Sequence, residues 1–179
     1  MQFPEILETE RLILRPWRES DAAACYRCAS SPNVGPRCGW KMHESEAESL
    51  EIIRTILSTP MTYAVTIKGS DDAVGSIDFH PATRPESIGH VVLGYWLGEP
   101  YWGNGYIPEA GRAMLDTAFS LGAREIWVSH FADNHQSRRV IHKLGFAYRF
   151  RDTEQISALG EEKELWYYSI RREEYAGNS

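Results

Sequence analysis

The fold is decided by residues 95–110, Tyr95-Trp96-Leu97-Gly98-Glu99-Pro100-Tyr101-Trp102-Gly103-Asn104-Gly105-Tyr106-Ile107-Pro108-Glu109-Ala110, which pass from a strand through a glycine loop into a helix. Gly103 and Gly105 permit backbone conformations that expose successive N–H groups. Pro108 suits the first helical turn, where its missing N–H costs little. Because the free N–H groups and the dipole of a helix N-terminus favour a negative guest, the stretch predicts a loop that can hold a pyrophosphate.

This loop does not match either common nucleotide-binding motif. No Gly-Lys-Ser/Thr follows it, so it is not a P-loop, and Pro108 occupies the third glycine position of the dinucleotide fingerprint. A Gly-x-Gly sequence on its own is equally compatible with a plain tight turn. The interpretation therefore depends on the rest of the chain.

A second informative segment is Asn134-His135-Gln136-Ser137-Arg138-Arg139-Val140-Ile141-His142-Lys143-Leu144-Gly145-Phe146. Asn134 and Ser137 stand three residues apart at a predicted helix start, directly after a predicted strand. Taken alone, this spacing is typical of an ordinary N-cap and first turn. Gly145 follows the last helical residue, where a left-handed residue commonly ends a helix.

The hydrophobic periodicity of the remaining chain predicts a mixed sheet. Strands are expected at 12–14, 62–68, 73–80, 88–97, 125–131, 146–150 and 165–170. Helices are expected from a Ser20-Asp21 cap to Ala29, after a capping box at Ser45–Glu48, at 108–120 and at 134–144, with a loop over 30–43 rich in breakers. We therefore predict one α/β (α+β) domain over residues 1–179, a single mixed β-sheet flanked by helices.

Composition limits the function classes. The chain has 179 residues, a net charge of −6, 42% hydrophobic and 25% charged residues, which is typical of a soluble globular domain. An acidic chain is a poor generic nucleic-acid binder, because such binding relies on Lys and Arg at phosphates. No apolar run approaches the ~20 residues of a spanning helix, and the start lacks a signal-peptide pattern. We expect a cytoplasmic protein that binds neither nucleic acid nor membrane.

The three cysteines predict packing rather than metal binding. Cys25 and Cys28, with Cys38 and His43 downstream, resemble half of a zinc site, but structural zinc sites usually show a second tight ligand pair. Cys25 and Cys28 lie three apart in a helical pattern and so share one face. We expect no metal and no disulfide framework.

The whole chain resembles the GNAT N-acetyltransferase superfamily, and within it the RimJ/RimL-like branch of ribosomal-protein N-terminal acetyltransferases. The resemblance is carried by Leu7-Glu8-Thr9-Glu10-Arg11-Leu12-Ile13-Leu14-Arg15, by Gly94-Tyr95-Trp96-Leu97, by the glycine loop with Glu109-Ala110, and by Asn134-x-x-Ser137 ending in Lys143-Leu144-Gly145-Phe146. It implies the GNAT acyl-CoA N-acyltransferase fold and acetyl-CoA as the acyl donor.

The resemblance also implies where acetyl-CoA lies. Two parallel strands, one ending at Leu97 and one near Phe131, would splay at a bulge, and the pantetheine arm would lie in the gap. A glycine inside a strand, here Gly94, often marks a bulge or a close backbone approach. The implied cofactor-binding residues are Trp96, Leu97, Trp102, Gly103, Asn104, Gly105, Tyr106, Ile107, Asn134, Ser137 and Lys143, with Arg138 or Arg139 as alternatives to Lys143 at the ribose phosphate.

Two departures from the family pattern concern proton transfer. The usual tyrosine general acid is replaced here by Ile141, and the resemblance assigns that role to Ser137. The carboxylate that several relatives place near Gly94 is replaced by Val92. The general base is therefore open: Asp78, His80 and His90 are candidates, a water can relay the proton, or the amine arrives neutral.

Two functions are consistent with these residues. The first is an N-acetyltransferase, in which an amine attacks acetyl-CoA directly and a backbone N–H near Leu97 stabilises the oxyanion. The second is a non-catalytic acyl-CoA-binding or sensing module on the same fold. The expected partners are the small-molecule acyl donor and an amine acceptor, for which a ribosomal-protein N-terminus, a polyamine, an antibiotic amine and an amino acid remain open. A homodimer is also consistent with the family.

Overall fold

The computed structural model describes residues 2–176, which form one eight-stranded sheet flanked by helices. The strands are β1 (Leu7–Glu8), β2 (Leu12–Arg15), β3 (Thr62–Ile67), β4 (Ala73–Pro81), β5 (Val91–Leu97), β6 (Glu125–Phe131), β7 (Ala147–Ile156) and β8 (Glu161–Arg171). The helices are α1 (Ala22–Ala29), α2 (Gly35–Cys38), α3 (Glu46–Ile52, continued by a π-turn at Ile53–Leu57), α4 (Tyr106–Ser120), α5 (His135–Lys143) and α6 (Arg172–Ala176).

The sheet is mixed, as predicted. Its strand order is β1-β2-β3-β4-β5-β6-β8-β7. Of the neighbouring pairs, β5 and β6 are parallel and the others are antiparallel. The parallel pair is joined by α4, since a crossover of this kind needs a helix to return the chain to the same end of the sheet.

Helices cover both faces of the sheet. On one face, Met114 and Leu115 of α4 and Ile141 of α5 are fully buried in a core that also contains Leu93 and Ile126 from β5 and β6. On the other face, Cys25 of α1 and Ile53 pack beside Trp17 in a smaller cluster. The apolar residues that recur with helical periodicity in the sequence are thus the ones that face the sheet.

The parallel strands separate along their length. They pair at Val91↔Ile126 and Val92↔Trp127 and then diverge toward Leu97 and Phe131. The expected splay is confirmed, but the expected bulge is wrong, because the β4–β5 register runs without a shift from Gly75↔Leu97 to Pro81↔Val91. Backbone N–H and C=O groups at the open end of β5 therefore face a gap.

Gly94 instead allows a side chain of the neighbouring strand β4 to lie close to the backbone of β5. A Cβ at this position would lie 2.6 Å from Oδ1 of Asp78 on β4. A contact that short would force the carboxylate to move, so glycine is what lets Asp78 lie across β5.

Several predicted element boundaries differ from the structure. The breaker-rich loop at 30–43 contains α2, because Pro36 lies in its first turn and Gly39, with φ +91°, ends it in the left-handed conformation. The β5 strand begins at Val91 rather than Ile88, which is exposed. The β7 and β8 strands are longer than predicted because residues 151–156 pair with residues 161–166. Most of the added residues are polar and exposed, so hydrophobic periodicity does not reveal them.

The packing predicted for the cysteines is confirmed for Cys25 and Cys28, whereas Cys38 on α2 is exposed. Cys25 and Cys28 are buried on α1, and no cluster of three or more His, Cys, Asp or Glu side chains suited to a metal ion occurs within residues 2–176. Across the same part of the chain, none of the helices combines the length and apolarity that crossing a membrane requires.

Candidate active site

A cavity of about 730 Å³ lies where β5 and β6 separate. Residues 101–103 and 105–108 and one side of α5 line one half of it, whereas the predicted cofactor residue Asn104 does not line it. The other half is lined by α2, His80 of β4, Ile156 of β7 and Leu165 of β8. The lining includes Tyr95 and Trp96, which lie on opposite faces of β5, so the cavity borders both faces of the sheet at the gap.

The glycine loop forms one end of this cavity. Its φ angles are +80° at Gly103 and +79° at Gly105, a region that glycine occupies without steric cost. Within residues 2–176, the backbone N–H groups of residues 103–107 donate to no protein acceptor, whereas the N–H of Trp102 donates to the Glu99 carbonyl at 3.2 Å. Of the implied cofactor-binding residues Trp102 to Ile107, the last five therefore have backbone N–H groups that are free to bind an anion.

The start of the chain holds this loop in place. Glu109, in the first turn of α4, accepts hydrogen bonds from Thr9 Oγ1 at 2.6 Å and from the Arg11 N–H at 2.8 Å. Arg11 also donates from Nε to Glu109 at 2.7 Å and from Nη1 to the Asn104 carbonyl at 3.0 Å. Partial burial alone would raise the pKa of Glu109, but these hydrogen bonds hold it below its usual range, so the carboxylate is charged at neutral pH.

Asn134 caps α5 and also tethers α2. Its Oδ1 accepts from the Ser137 N–H at 3.1 Å, as the N-cap interpretation requires. Its Nδ2 donates to the Arg37 carbonyl at 3.2 Å. Asn134 thus lines the cavity while its amide joins α2 to the helix that carries Ser137.

Ser137 has a partner that sequence reasoning missed. Its Oγ lies 2.7 Å from the Tyr95 hydroxyl, and both side chains line the cavity. Burial raises the pKa of Tyr95, which keeps the phenol neutral. Strand alternation offered a signal, since it places Tyr95 on the same sheet face as Leu93 and Leu97. Ile141 is fully buried in the core and contributes no chemistry.

His80 and Asp78 form a pair on the other side of the gap. His80 Nδ1 lies 2.7 Å from Asp78 Oδ2, and His80 lines the cavity with its side chain about half exposed (54%). In the β4–β5 register His80 is directly opposite Val92, and Asp78 is opposite Gly94. Directly opposed residues of antiparallel strands share a face, so an imidazole stands beside the position where the resemblance leads us to expect a carboxylate.

The other two histidines near the gap differ from His80. His90 does not line the cavity; it lies at the paired end of β5, with Nε2 3.9 Å from Glu125 Oε2. His130 lines the cavity, but both ring nitrogens are engaged, Nδ1 with the Phe131 carbonyl at 2.7 Å and Nε2 with the Tyr168 hydroxyl at 3.3 Å. Burial lowers the pKa of His130. Neither histidine is placed to accept a proton inside the gap.

The basic residues of α5 divide between its two sides. Arg139 and Lys143, four residues apart, line the cavity. Arg138 instead lies over the Trp166 ring, with Cζ 5.1 Å from its centroid, on the β8 side of the helix. Of the three cations predicted for the ribose phosphate, the structure therefore brings Arg139 and Lys143 to the cavity.

Trp96 and Leu97 complete the gap edge. Trp96 lines the cavity but also stacks near Trp17, with ring centroids 6.0 Å apart, and meets Trp40 edge-on at 5.8 Å. The Leu97 carbonyl accepts from Trp102 Nε1 at 2.7 Å. Because the Gly98 N–H donates to β4, alternation along the strand turns the Leu97 N–H toward the gap.

Comparison with known proteins gives a consistent result. Residues 11–147 match the family model described as acetyltransferase (GNAT) domain. The chain is 30% identical over 150 residues to the uncharacterised N-acetyltransferase YoaA of Bacillus subtilis (strain 168), covering 80% of this chain and 83% of YoaA.

Solved structures share the fold. An acetyltransferase (GNAT family) from Bacillus anthracis superposes with a TM-score of 0.81 at 23% identity, covering 94% of this chain and 99% of that one. The ribosomal-protein-S5-alanine acetyltransferase from Vibrio fischeri superposes with a TM-score of 0.69 at 18% identity, covering 95% of this chain and 98% of that one. The match to the family model, over residues 11–147, includes the glycine loop and α5.

Proposed function

The chain belongs to the GNAT acetyltransferase family, and from this premise we propose that it transfers an acetyl group from acetyl-CoA to a primary amine by direct attack in a ternary complex. The proposal is carried by one juxtaposition: the glycine loop and the Ser137 side chain line the same cavity at the gap between β5 and β6. Among the described residues, no acceptor receives the backbone N–H groups of residues 103–107 in this loop. A donor can lie along one side of this gap while an acceptor enters from the other.

The donor half suits the anionic part of acetyl-CoA. The N–H groups of residues 103–107 and the N-terminus of α4 would receive the pyrophosphate. Arg139 and Lys143 would meet the remaining phosphate. Trp102 lines the same cavity and is held in place by the hydrogen bond from its indole N–H to the Leu97 carbonyl. A chain of net charge −6 can thus bind a polyanion, because backbone amides supply much of the attraction.

The reaction needs one bond formed and one broken. The amine nitrogen attacks the thioester carbonyl, and the Leu97 N–H stabilises the negative charge that develops on oxygen. As the C–S bond breaks, the Ser137 hydroxyl gives its proton to the leaving thiolate. The amine nitrogen loses one proton and the thiolate gains one, so the protons balance over a turnover. The proton that Ser137 gives up is replaced by the one that the amine loses, relayed by water and by the Tyr95 hydroxyl that contacts Ser137, and both hydroxyls end neutral.

Removal of the amine proton has two candidate routes. His80 can accept it, because its imidazole lines the cavity and its other ring nitrogen is oriented by Asp78. The second route is selection of an amine that is already neutral, which needs no base. His90 lies outside the cavity, and this position argues against it as the base.

The acceptor amine can belong to one of two classes, a protein N-terminus or a small molecule. The fold shared with the Vibrio fischeri ribosomal-protein-S5-alanine acetyltransferase is compatible with a protein N-terminus as acceptor, and with the RimJ/RimL-like branch. A small-molecule amine is equally compatible with an open cavity of this size. A single domain over residues 1–179, a cytoplasmic location and a homodimer remain predictions.

One experiment separates an enzyme from a non-catalytic acyl-CoA-binding module. Purified protein is incubated with acetyl-CoA and a panel of amines that includes ribosomal-protein N-terminal peptides, and released thiol is measured. Thiol release that depends on the amine and falls in Ser137→Ala supports the enzyme. CoA binding by calorimetry without release across the panel would support the module instead.

A further inference from the structure

The charges that line the cavity are of one sign. Of the described residues that line it, Arg37, Arg139 and Lys143 are cationic, and none is aspartate or glutamate. Arg139 and Lys143 lie on the donor side. Arg37 stands on α2 above the gap, with Nη1 3.3 Å from Gln136 Oε1 and its guanidinium 6.0 Å from the centroid of the Trp102 ring.

Two carboxylates that contact lining residues, Asp78 and Glu99, are already engaged. Asp78 lies against Gly94 and contacts the His80 imidazole at 2.7 Å. Glu99 accepts from Ser31 Oγ at 2.8 Å and from Asn33 Nδ2 at 3.1 Å, and hydrogen bonds from these side chains lower its pKa. Neither carboxylate faces the cavity as a partner for a substrate ammonium group.

Apart from Arg37 and His80, the side chains that define the acceptor half are mostly apolar. The apolar side chains of its walls come from the N-cap of α2 and from four strands of the sheet: Val34, Val92, Trp96, Phe131, Ile156 and Leu165. Val34, Phe131 and Leu165 are buried. A substrate that enters this half exchanges water for hydrocarbon, which favours apolar groups and penalises any charge without a partner.

We infer that the acceptor amine carries an apolar group and no second positive charge, an inference that rests on the proposed acetyltransferase function. A polyamine or an aminoglycoside brings further ammonium groups, and each would lose its water among apolar walls, near Arg37 and with no carboxylate among the lining residues to receive it. An alkylamine, or a peptide N-terminus followed by apolar side chains, meets no such penalty. Two acceptor classes left open by the sequence are thereby disfavoured.

The test uses two probes that differ by one charge. Hexylamine and 1,6-diaminohexane have the same carbon chain, and kcat/KM is measured for each from acetyl-CoA-dependent thiol release. We expect kcat/KM for hexylamine to exceed that for the diamine by about tenfold or more, the ratio that one poorly screened like-charge contact produces.

A designed carboxylate tests the electrostatic origin of this preference. Ile156→Glu places a carboxylate on the acceptor wall, and we expect it to shift the ratio toward the diamine by about tenfold. Ile88→Glu makes the same change at an exposed position outside the cavity and should leave the ratio unchanged. Circular dichroism of both variants verifies folding, and the wild-type ratio tests the inference even if Ile156→Glu does not fold.

The outcomes separate the two proposals. Equal or faster acetylation of the diamine by the wild type overturns this inference and leaves the acetyltransferase proposal standing. An unchanged ratio in folded Ile156→Glu also overturns it. Absence of thiol release with both probes and with the peptide panel, while CoA still binds, refutes the acetyltransferase proposal and the inference with it.

Discussion

Replacement of Gly105 with valine tests whether the N–H groups of residues 103–107 bind the pyrophosphate. Gly105 has a φ of +79°, and the atom nearest to a Cβ added at this position, Nη2 of Arg11, lies 3.6 Å away. The side chain therefore has room, and the strain comes from the backbone. A left-handed L-residue costs about 1–2 kcal/mol, and a valine there tends to move φ to a negative value, which turns the neighbouring N–H groups away.

The magnitude follows from the hydrogen bonds that would be lost. A hydrogen bond to a charged group contributes about 1.5–3 kcal/mol, so misdirecting two of the N–H groups weakens CoA binding by about 3–6 kcal/mol. That is a loss of about two to four orders of magnitude in affinity. The strain itself lowers Tm by only about 2–8 °C in a domain of this size.

The chain offers a matched control in Gly69→Val. Gly69 has a φ of +93° in the β3–β4 hairpin, with no atom within 4 Å of an added Cβ, and it lies outside the cavity. Both variants should therefore lose similar stability in thermal melting, while calorimetry should detect weaker CoA binding only in Gly105→Val. Unchanged CoA affinity in folded Gly105→Val, or an equal loss in Gly69→Val, would refute the placement of the phosphate site.

Three further predictions concern the residues around the gap. Ser137→Ala should lower kcat about ten- to a thousandfold with little change in acetyl-CoA affinity, and Tyr95→Phe should lower kcat in the same direction; wild-type turnover in Ser137→Ala would return Ser137 to a structural role. If His80 is the base, the rise of kcat/KM with pH on the acidic side of the profile should disappear in His80→Gln and persist in His90→Gln. If this rise instead follows the pKa of each amine offered, in wild type and variant alike, the enzyme selects the neutral amine. Glu109→Gln should weaken CoA binding several-fold at pH 7, because the lowered pKa of Glu109 shows that its charged form stabilises the loop. In the wild type this stabilisation should be lost as the pH falls through the pKa of Glu109. Wild-type CoA affinity of Glu109→Gln, measured by calorimetry at pH 7, would contradict the role of Glu109 in holding the loop.

Local signals made the glycine loop and the α5 cap predictable. Gly103, Gly105 and Pro108 fix the geometry of a strand-to-helix turn within a few residues, and Asn134 satisfies an N–H only three residues away. These features depend on interactions between residues a few positions apart, so the residue types at those positions are enough to predict them. The same holds for the amphipathic pattern of α4.

Features that depend on register were not predictable in the same way. The position of His80 opposite Val92 follows from how β4 and β5 align, and the contact of Tyr95 with Ser137 follows from how α5 packs on β5. The bracing of the loop joins Thr9 to Glu109 across 100 residues of sequence. Composition and periodicity fix which face a residue occupies, but not which neighbour it meets there.

The strand order has a consequence for synthesis of the protein. The interior strand β8 follows the edge strand β7 in the chain, so the hydrogen-bonding edge of β6 stays open until residues 161–171 arrive. An incomplete chain that ends before β8 presents that edge with Trp127 and Phe131 uncovered, a template for pairing with other chains. Truncations that remove β8 should therefore aggregate rather than give a smaller folded protein, and expression trials should keep the chain intact through Arg171.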